Sequence, residues 1–205
     1  MDTESEKKLT KAEQAAMRRN QIIDTALKLF SEKGFGNTTI KDISETAGTS
    51  LGLMYHYFAG KDELLVAVFE KHNFLEPLRK TLTIKGNKPV RDVLYEIALK
   101  FYKLLISRRE LVNIVLNEMR INPSLNKAWS AIPAEGIRLI SEYLEANIAA
   151  GNLKPHNTDI AAHTMMYTAI MHFISQDFFP ASNLTTEQYL KQAIDIFLDG
   201  IAKKP

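Results

Sequence analysis

No cysteine occurs in the 205 residues of this chain. Disulfide frameworks, thiolate zinc sites, iron–sulfur clusters and cysteine nucleophiles are thereby excluded, and a reducing, cytoplasmic home is the simplest expectation. Proline is sparse, seven in all, and none precedes Pro77. Neither sign of charge is in excess: 26 Lys and Arg face 24 Asp and Glu, for a formal net charge of +2. Net charge alone therefore gives no reason to expect a nucleic-acid or membrane partner, and any such signal must lie in how the charge is distributed. The longest stretch without an acid, lysine or arginine, Ile160 to Gln176, carries two histidines among its threonines. It falls short of the roughly 20 apolar residues that cross a bilayer, so no membrane is expected. Met1 to Leu9 is charged and has no apolar core; it reads as a solvated tail rather than an export signal.

Catalytic apparatus is scarce as well. The chain has no His-Glu-x-x-His pair and no glycine-rich phosphate loop, which leaves zinc hydrolysis and nucleotide chemistry without visible means. His156, Asp159 and His163 could gather near one helix start, but they are three ligands without a fourth, one of them outside the helix. No metal, no cofactor and no enzymatic activity are expected.

What the sequence does contain is helical periodicity from end to end. Thr10 followed by Glu13 has the form of a capping box, in which hydroxyl and carboxylate satisfy amide donors at a helix start. Ile23, Ala26, Leu27 and Phe30 then fall at i, i+3, i+4 and i+7, and Gly34 closes the helix with a residue that tolerates positive φ. The same spacing holds for Val90, Val93, Leu94, Ile97 and Phe101, for Ile137, Ile140, Leu144 and Ile148, and for Leu190, Ala193, Ile194, Phe197, Leu198 and Ile201. Pro123 and Pro133 predict a short break, and Gly151 with Pro155 another. No stretch reads as a strand. The expectation is an all-α chain of about nine helices, with short helices and tight turns where glycines crowd between Gly34 and Gly60. A soft boundary falls within a helix expected over Lys61 to Leu82.

The informative segment runs from Gly34 to Lys61. Thr38 or Thr39 can cap a short helix whose Ile40, Ile43 and Ala47 face inward; Gly48 allows a turn; Ser50 can cap a second short helix through Tyr57. On that second helix Leu51, Met54, Tyr55 and Phe58 share a face, yet a helix so short cannot bury them all, so one side must be exposed. From Thr46 through Lys61 there is no carboxylate, which suits contact with phosphates and base edges.

These residues resemble the TetR family of transcriptional repressors. The pattern is carried by Thr38-Thr39, Ile43, Ala47-Gly48, Ser50, Gly52, Tyr55, Phe58, Lys61 and Leu64, over roughly residues 15 to 70. Ser44, Thr49 and Met54 stand where Ala, Val and Leu are common in the family. The resemblance implies a helix-turn-helix DNA-binding domain over residues 10–60, after a tail at 1–9, and a helical effector-binding and dimerisation domain over 61–205. It implies that Thr39, Thr49, Tyr55, Tyr57 and Lys61 hold phosphates, while Ser50, Leu51, Gly52, Leu53 and His56 approach bases. Lys7, Lys8, Lys11, Arg18 and Arg19 could add backbone or minor-groove contacts.

Apolar residues go nearly all round the stretch from Ile160 to Phe173, which implies burial on more than one side. The economical cover is the same pair of helices, residues 158–177 and 185–202, from a second copy. Two recognition helices ~34 Å apart would then read a palindromic operator on double-stranded DNA. The resemblance also implies a small-molecule effector enclosed by the middle helices. Candidate lining residues are Phe101, Tyr102, Asn117, Trp129, Met166 and Tyr167, a set suited to a mainly apolar ligand. The expected function is that of a homodimeric repressor released from DNA by such a ligand; the alternative is a DNA-binding protein whose helical domain holds a protein partner.

Overall fold

The computed structural model describes residues 9–83, 88–122, 126–176 and 183–201; the side chains of residues 120, 126–129 and 201 lie outside that set, and so do residues 1–8 of the tail expected at 1–9. Among the described residues there are ten α-helices and no strand. They are α1 (Lys11–Lys33), α2 (Ile40–Thr46), α3 (Leu51–Tyr57), α4 (Lys61–Lys71), α5 (Leu75–Thr83), α6 (Val90–Ser107), α7 (Arg109–Ile121), α8 (Asn126–Ala149), α9 (Thr158–Ser175) and α10 (Thr186–Ile201). None of them is long and apolar enough to cross a membrane.

The helix count exceeds the sequence expectation by one because the run from Lys61 to Leu82 is two helices. The Asn73 side chain accepts from the Leu75 amide at 2.8 Å, which starts a new helix. Pro77 then sits in its first turn, where a missing N–H costs nothing and where its ring would have clashed with the Asn73 carbonyl of a continuous helix. The break expected between Pro123 and Pro133 is also revised. Pro123 lies outside the described residues, and α8 runs through Pro133, giving up one internal hydrogen bond at that point.

The chain divides into two compact units, Met1–His72 with Asn113–Leu125, and Asn73–Val112 with Asn126–Pro205. In the first, α1 packs on α2 and α4, and α2 on α3. Its core holds Ile22, Ile23, Ala26, Phe30, Ile43, Met54, Phe58, Leu64, Leu65 and Val68, each nearly or fully buried. The Asn122 amide donates to Asp62 at 3.1 Å, so the end of α7 belongs with α4. In the second unit α6 packs on α5, α9 and α10, and α8 on α5 and α9. Leu78, Leu94, Ile97, Ile140, Leu144, Ala162, Phe173 and Leu190 form its centre. Arg91 pairs with Asp195 and lies 3.7 Å from Asp199, joining the start of α6 to α10. Glu135 joins α8 to α5 through Arg79 at 2.9 Å; hydrogen bonds from Arg138 and Arg79 hold its carboxyl down to about 2.

Candidate nucleic-acid interface

Four local devices fix the geometry of α2 and α3. Thr39 caps α2 by accepting from the Asp42 amide, while Asp42 returns a bond from the Thr39 amide at 2.8 Å. The Thr39 hydroxyl and the Thr39 amide, both donating to it, together with Lys33 at 3.6 Å, keep the Asp42 carboxyl below its ordinary range. Thr38 is fully buried and donates to the Gly34 carbonyl at 2.8 Å, with the Leu29 carbonyl 3.2 Å away. Of the two threonines read as possible caps, one thus starts α2 and its neighbour locks the preceding loop onto α1. At the turn, Gly48 takes φ +61, a left-handed conformation open to glycine at little cost, and the Thr49 amide closes it on Ser44 at 2.9 Å. Ser50 caps α3 by accepting from the Leu53 amide at 3.2 Å.

Gly48-Thr49-Ser50-Leu51-Gly52 also spells the Gly-x-Ser-x-Gly outline of an acyl-transfer nucleophile elbow. The required setting is a strand running into a helix; here a helix precedes the turn and the serine oxygen is bonded as a cap. The match is one of letters, not of geometry.

The stripe on α3 splits as its length demands. Met54 and Phe58 are buried, whereas Leu51 is 43% and Tyr55 54% exposed. Gly52 and His56 are exposed beside them, and Leu53 and Tyr57 are half-buried. The exposed surface of α3 is therefore Leu51, Gly52, Tyr55 and His56, with the His56 and Tyr57 rings edge to face at 5.4 Å. Nothing lies within 4 Å of where a Gly52 Cβ would stand, and its φ is not in the left-handed region. Packing within the chain gives no reason for a glycine there.

Other expected contacts are buried or already engaged. Thr49 Oγ1 is buried with no hydrogen-bond partner among the described residues, so it meets a phosphate only by changing rotamer. The Lys61 ammonium donates to the Phe35 carbonyl at 2.7 Å and lies 4.4 Å from the Phe35 ring centroid. Arg19 stacks over Phe58 at 5.1 Å, and Arg18 donates to Gln21 at 2.9 Å. Gln21 in turn reaches the Ala47 carbonyl at 3.3 Å, tying α1 to the turn. Sequence reading did not single out Gln21, because an exposed-looking glutamine in a long helix carries no local signal. Of the acids on α2, the helix before α3, Glu45 faces Lys41 at 3.8 Å and Asp42 faces Lys33 at 3.6 Å.

Of the expected ligand-lining residues, Phe101, Tyr102 and Met166 come together in the core of the second unit. Phe101 packs 4.8 Å from Phe74, and Tyr102 lies 5.3 Å from the His172 ring. Tyr167 is 56% exposed on α9. Asn117 is exposed and belongs to the first unit, and the Trp129 side chain lies outside the described residues. The sequence assigns no role to His172. It is buried, stacked on Tyr189 at 4.0 Å and 8°, and 3.3 Å from the Thr186 hydroxyl. Burial lowers its pKa. His156 bonds the Lys154 carbonyl, and His163 faces Asp159.

Comparison with known proteins bears on the same residues. Residues 22–68 match the model of bacterial regulatory proteins of the tetR family, and residues 92–200 match that of the AefR-like transcriptional repressor C-terminal domain. The HTH-type transcriptional repressor KstR2 of Rhodococcus jostii is 24% identical over 202 residues, covering 90% of this chain and 91% of that protein. A TetR-family transcriptional regulator from Mesorhizobium loti superposes with a TM-score of 0.78 at 18% identity, over 95% of this chain and all of that one. A structure of SmeT in complex with triclosan gives a TM-score of 0.72 at 25% identity, over 92% of this chain and 93% of that one. With a helix-turn-helix built from Thr39 to Tyr57 and both halves of the chain matched, this protein belongs to the TetR family of transcriptional regulators.

Proposed function

We propose that the chain is a homodimeric repressor that grips a palindromic operator through α3 and is released by a mainly apolar small molecule held among the helices of the second unit. The observation that carries the DNA part is Gly52. Glycine in a helix costs up to about 1 kcal/mol relative to alanine, and neither φ nor packing asks for it here; a surface outside the chain that comes close to the α3 backbone does. Leu51, Tyr55 and His56 surround it, with no carboxylate between Thr46 and Lys61. In this reading residues 10–60 are the DNA-binding domain and 61–205 the effector and dimer domain. Thr39, Tyr55, Tyr57 and Lys61 serve phosphates, and Thr49 does so after a rotamer change.

Self-association is supported by the outer faces of α9 and α10. Ile160, Tyr167 and Met171 are 63%, 56% and 58% exposed, and Ile196 is 75% exposed. Apolar groups clustered in this way on a chain's surface mark an interface. The effector is supported by the buried aromatic and sulfur set of Phe101, Tyr102 and Met166, and by the triclosan bound to SmeT. The role is that of a regulator without cofactor or catalytic step, acting in the cytoplasm. Selection of duplexes from a random pool, followed by titration across salt concentrations, tests it. The expected result is a palindromic site bound by a dimer in light scattering, with an affinity that falls steeply with salt. Enrichment of no duplex by a folded dimer would sink it.

A further inference from the structure

We propose that α3 reads its operator mainly through the C5-methyl groups of thymines, with Leu51 as the principal reading side chain. The inference rests on the DNA-binding function proposed above and specifies what that surface recognises. Leu51–Tyr57 contains no Arg, Lys, Asn or Gln, the side chains that make bidentate bonds to guanine and adenine edges. The hydroxyls just ahead of the helix do not replace them. Ser50 Oγ accepts from the Leu53 amide as the cap of α3, which leaves its hydroxyl one donor and no two-bond fork, and Thr49 Oγ1 is buried.

What the helix offers the groove is Leu51, Tyr55 and His56 around the bare backbone of Gly52. Leu51 and Tyr55 stand one turn apart on one face, and Gly52 with His56 on the next. A neutral imidazole has one donor and one acceptor on opposite sides of its ring, so His56 can add a single bond to a base edge but not a two-bond fork. On the major-groove edges of the four bases the apolar group is the thymine methyl. The 43% exposure of Leu51 at the front of α3, beside a glycine that lets the helix settle close, places an apolar side chain where such a methyl would be covered. Sequence preference then follows from methyl burial, while the tyrosine hydroxyls and lysines set register on the phosphates.

The test uses the full chain and the duplexes it selects. Each thymine of the half-site is replaced in turn by uracil, which deletes the methyl and leaves every hydrogen-bonding group in place, and binding is followed by fluorescence anisotropy at fixed salt. Wild-type protein is expected to lose about four-fold in affinity per methyl that is read. Leu51→Ala is expected to bind thymine and uracil duplexes alike at the most sensitive position. Because Leu51 is exposed, its circular dichroism spectrum and melting should match the wild type. Indifference of the wild type to uracil, half-sites selected without thymine, or full discrimination kept by Leu51→Ala would each overturn the proposal. Failure to select any duplex overturns the DNA-binding function and this inference with it, whereas a palindrome bound without regard to methyls overturns this inference alone.

Discussion

Gly52→Ala separates what the fold asks of a residue from what a partner asks. No atom obstructs the new methyl, and alanine is the better helix former, so the variant is expected to unfold at equal or higher urea concentration, by up to about 1 kcal/mol. Operator affinity is expected to fall, because the methyl stands where the groove wall would approach. Paired urea and anisotropy titrations check both, and loss of stability or unchanged affinity would refute the role given to this glycine. Lys61 presents the opposite case. Its ammonium is bonded to the Phe35 carbonyl and lies against that ring, so Lys61→Met is expected to destabilise the first unit by about 1–2 kcal/mol, whatever it does to DNA binding. A lysine at a helix start suggests a phosphate from sequence alone; that it also clamps the loop after α1 depends on a contact 26 residues away, which no local pattern reveals. Thr38 and Thr39 were legible as alternatives for one cap, and which of them faces inward is settled only by the packing of Thr38 against α1.

Several helix boundaries were legible from a capping hydroxyl at the start or a glycine at the end. Thr10 with Glu13, Ser50, and Gly34 at φ +82 mark their helices as the sequence suggested. The α4–α5 break was hidden because apolar residues continue across it at helical spacing and Pro77 sits in a tolerated first turn. The polar centre of the second unit was hidden too, since His172 reads as one more residue in an apolar stretch. Its position against Tyr102, Tyr189 and Thr186 gives α9 a measurable property. Burial favours the neutral imidazole, so the folded pKa lies below the ordinary value. Between the two values the unfolded chain binds the proton and the folded chain does not. Stability contributed by the neutral ring is therefore present above pH ~6.5 and lost as pH falls below it. His172→Phe keeps a ring on Tyr189 and removes the titration. Its unfolding free energy is expected to depend less on pH than that of the wild type between pH 7.5 and 5.5, by at most about 1.4 kcal/mol per pH unit. Identical pH dependence in urea melts of the two proteins would show that His172 is not held neutral.

On the scale of the whole molecule, the proposed dimer and the proposed operator make one linked claim. A palindrome is bound tightly because the first recognition helix, once seated, holds the second near its half-site at high effective concentration. Breaking the dimer should therefore cost DNA affinity without touching any residue near DNA. Ile196 is the natural place to do so: it is 75% exposed on α10, and an acid there has room in the isolated subunit but not against an apolar partner. Ile196→Asp is expected to halve the mass seen by light scattering at micromolar concentration and to leave the helical circular dichroism unchanged. Binding to the full palindrome should weaken by at least ten-fold, with little change for a single half-site. If the variant stays dimeric, α10 does not form the interface. If it becomes monomeric yet binds the palindrome as tightly as before, the two half-sites are not read by one dimer, and the link between self-association and repression breaks at that step.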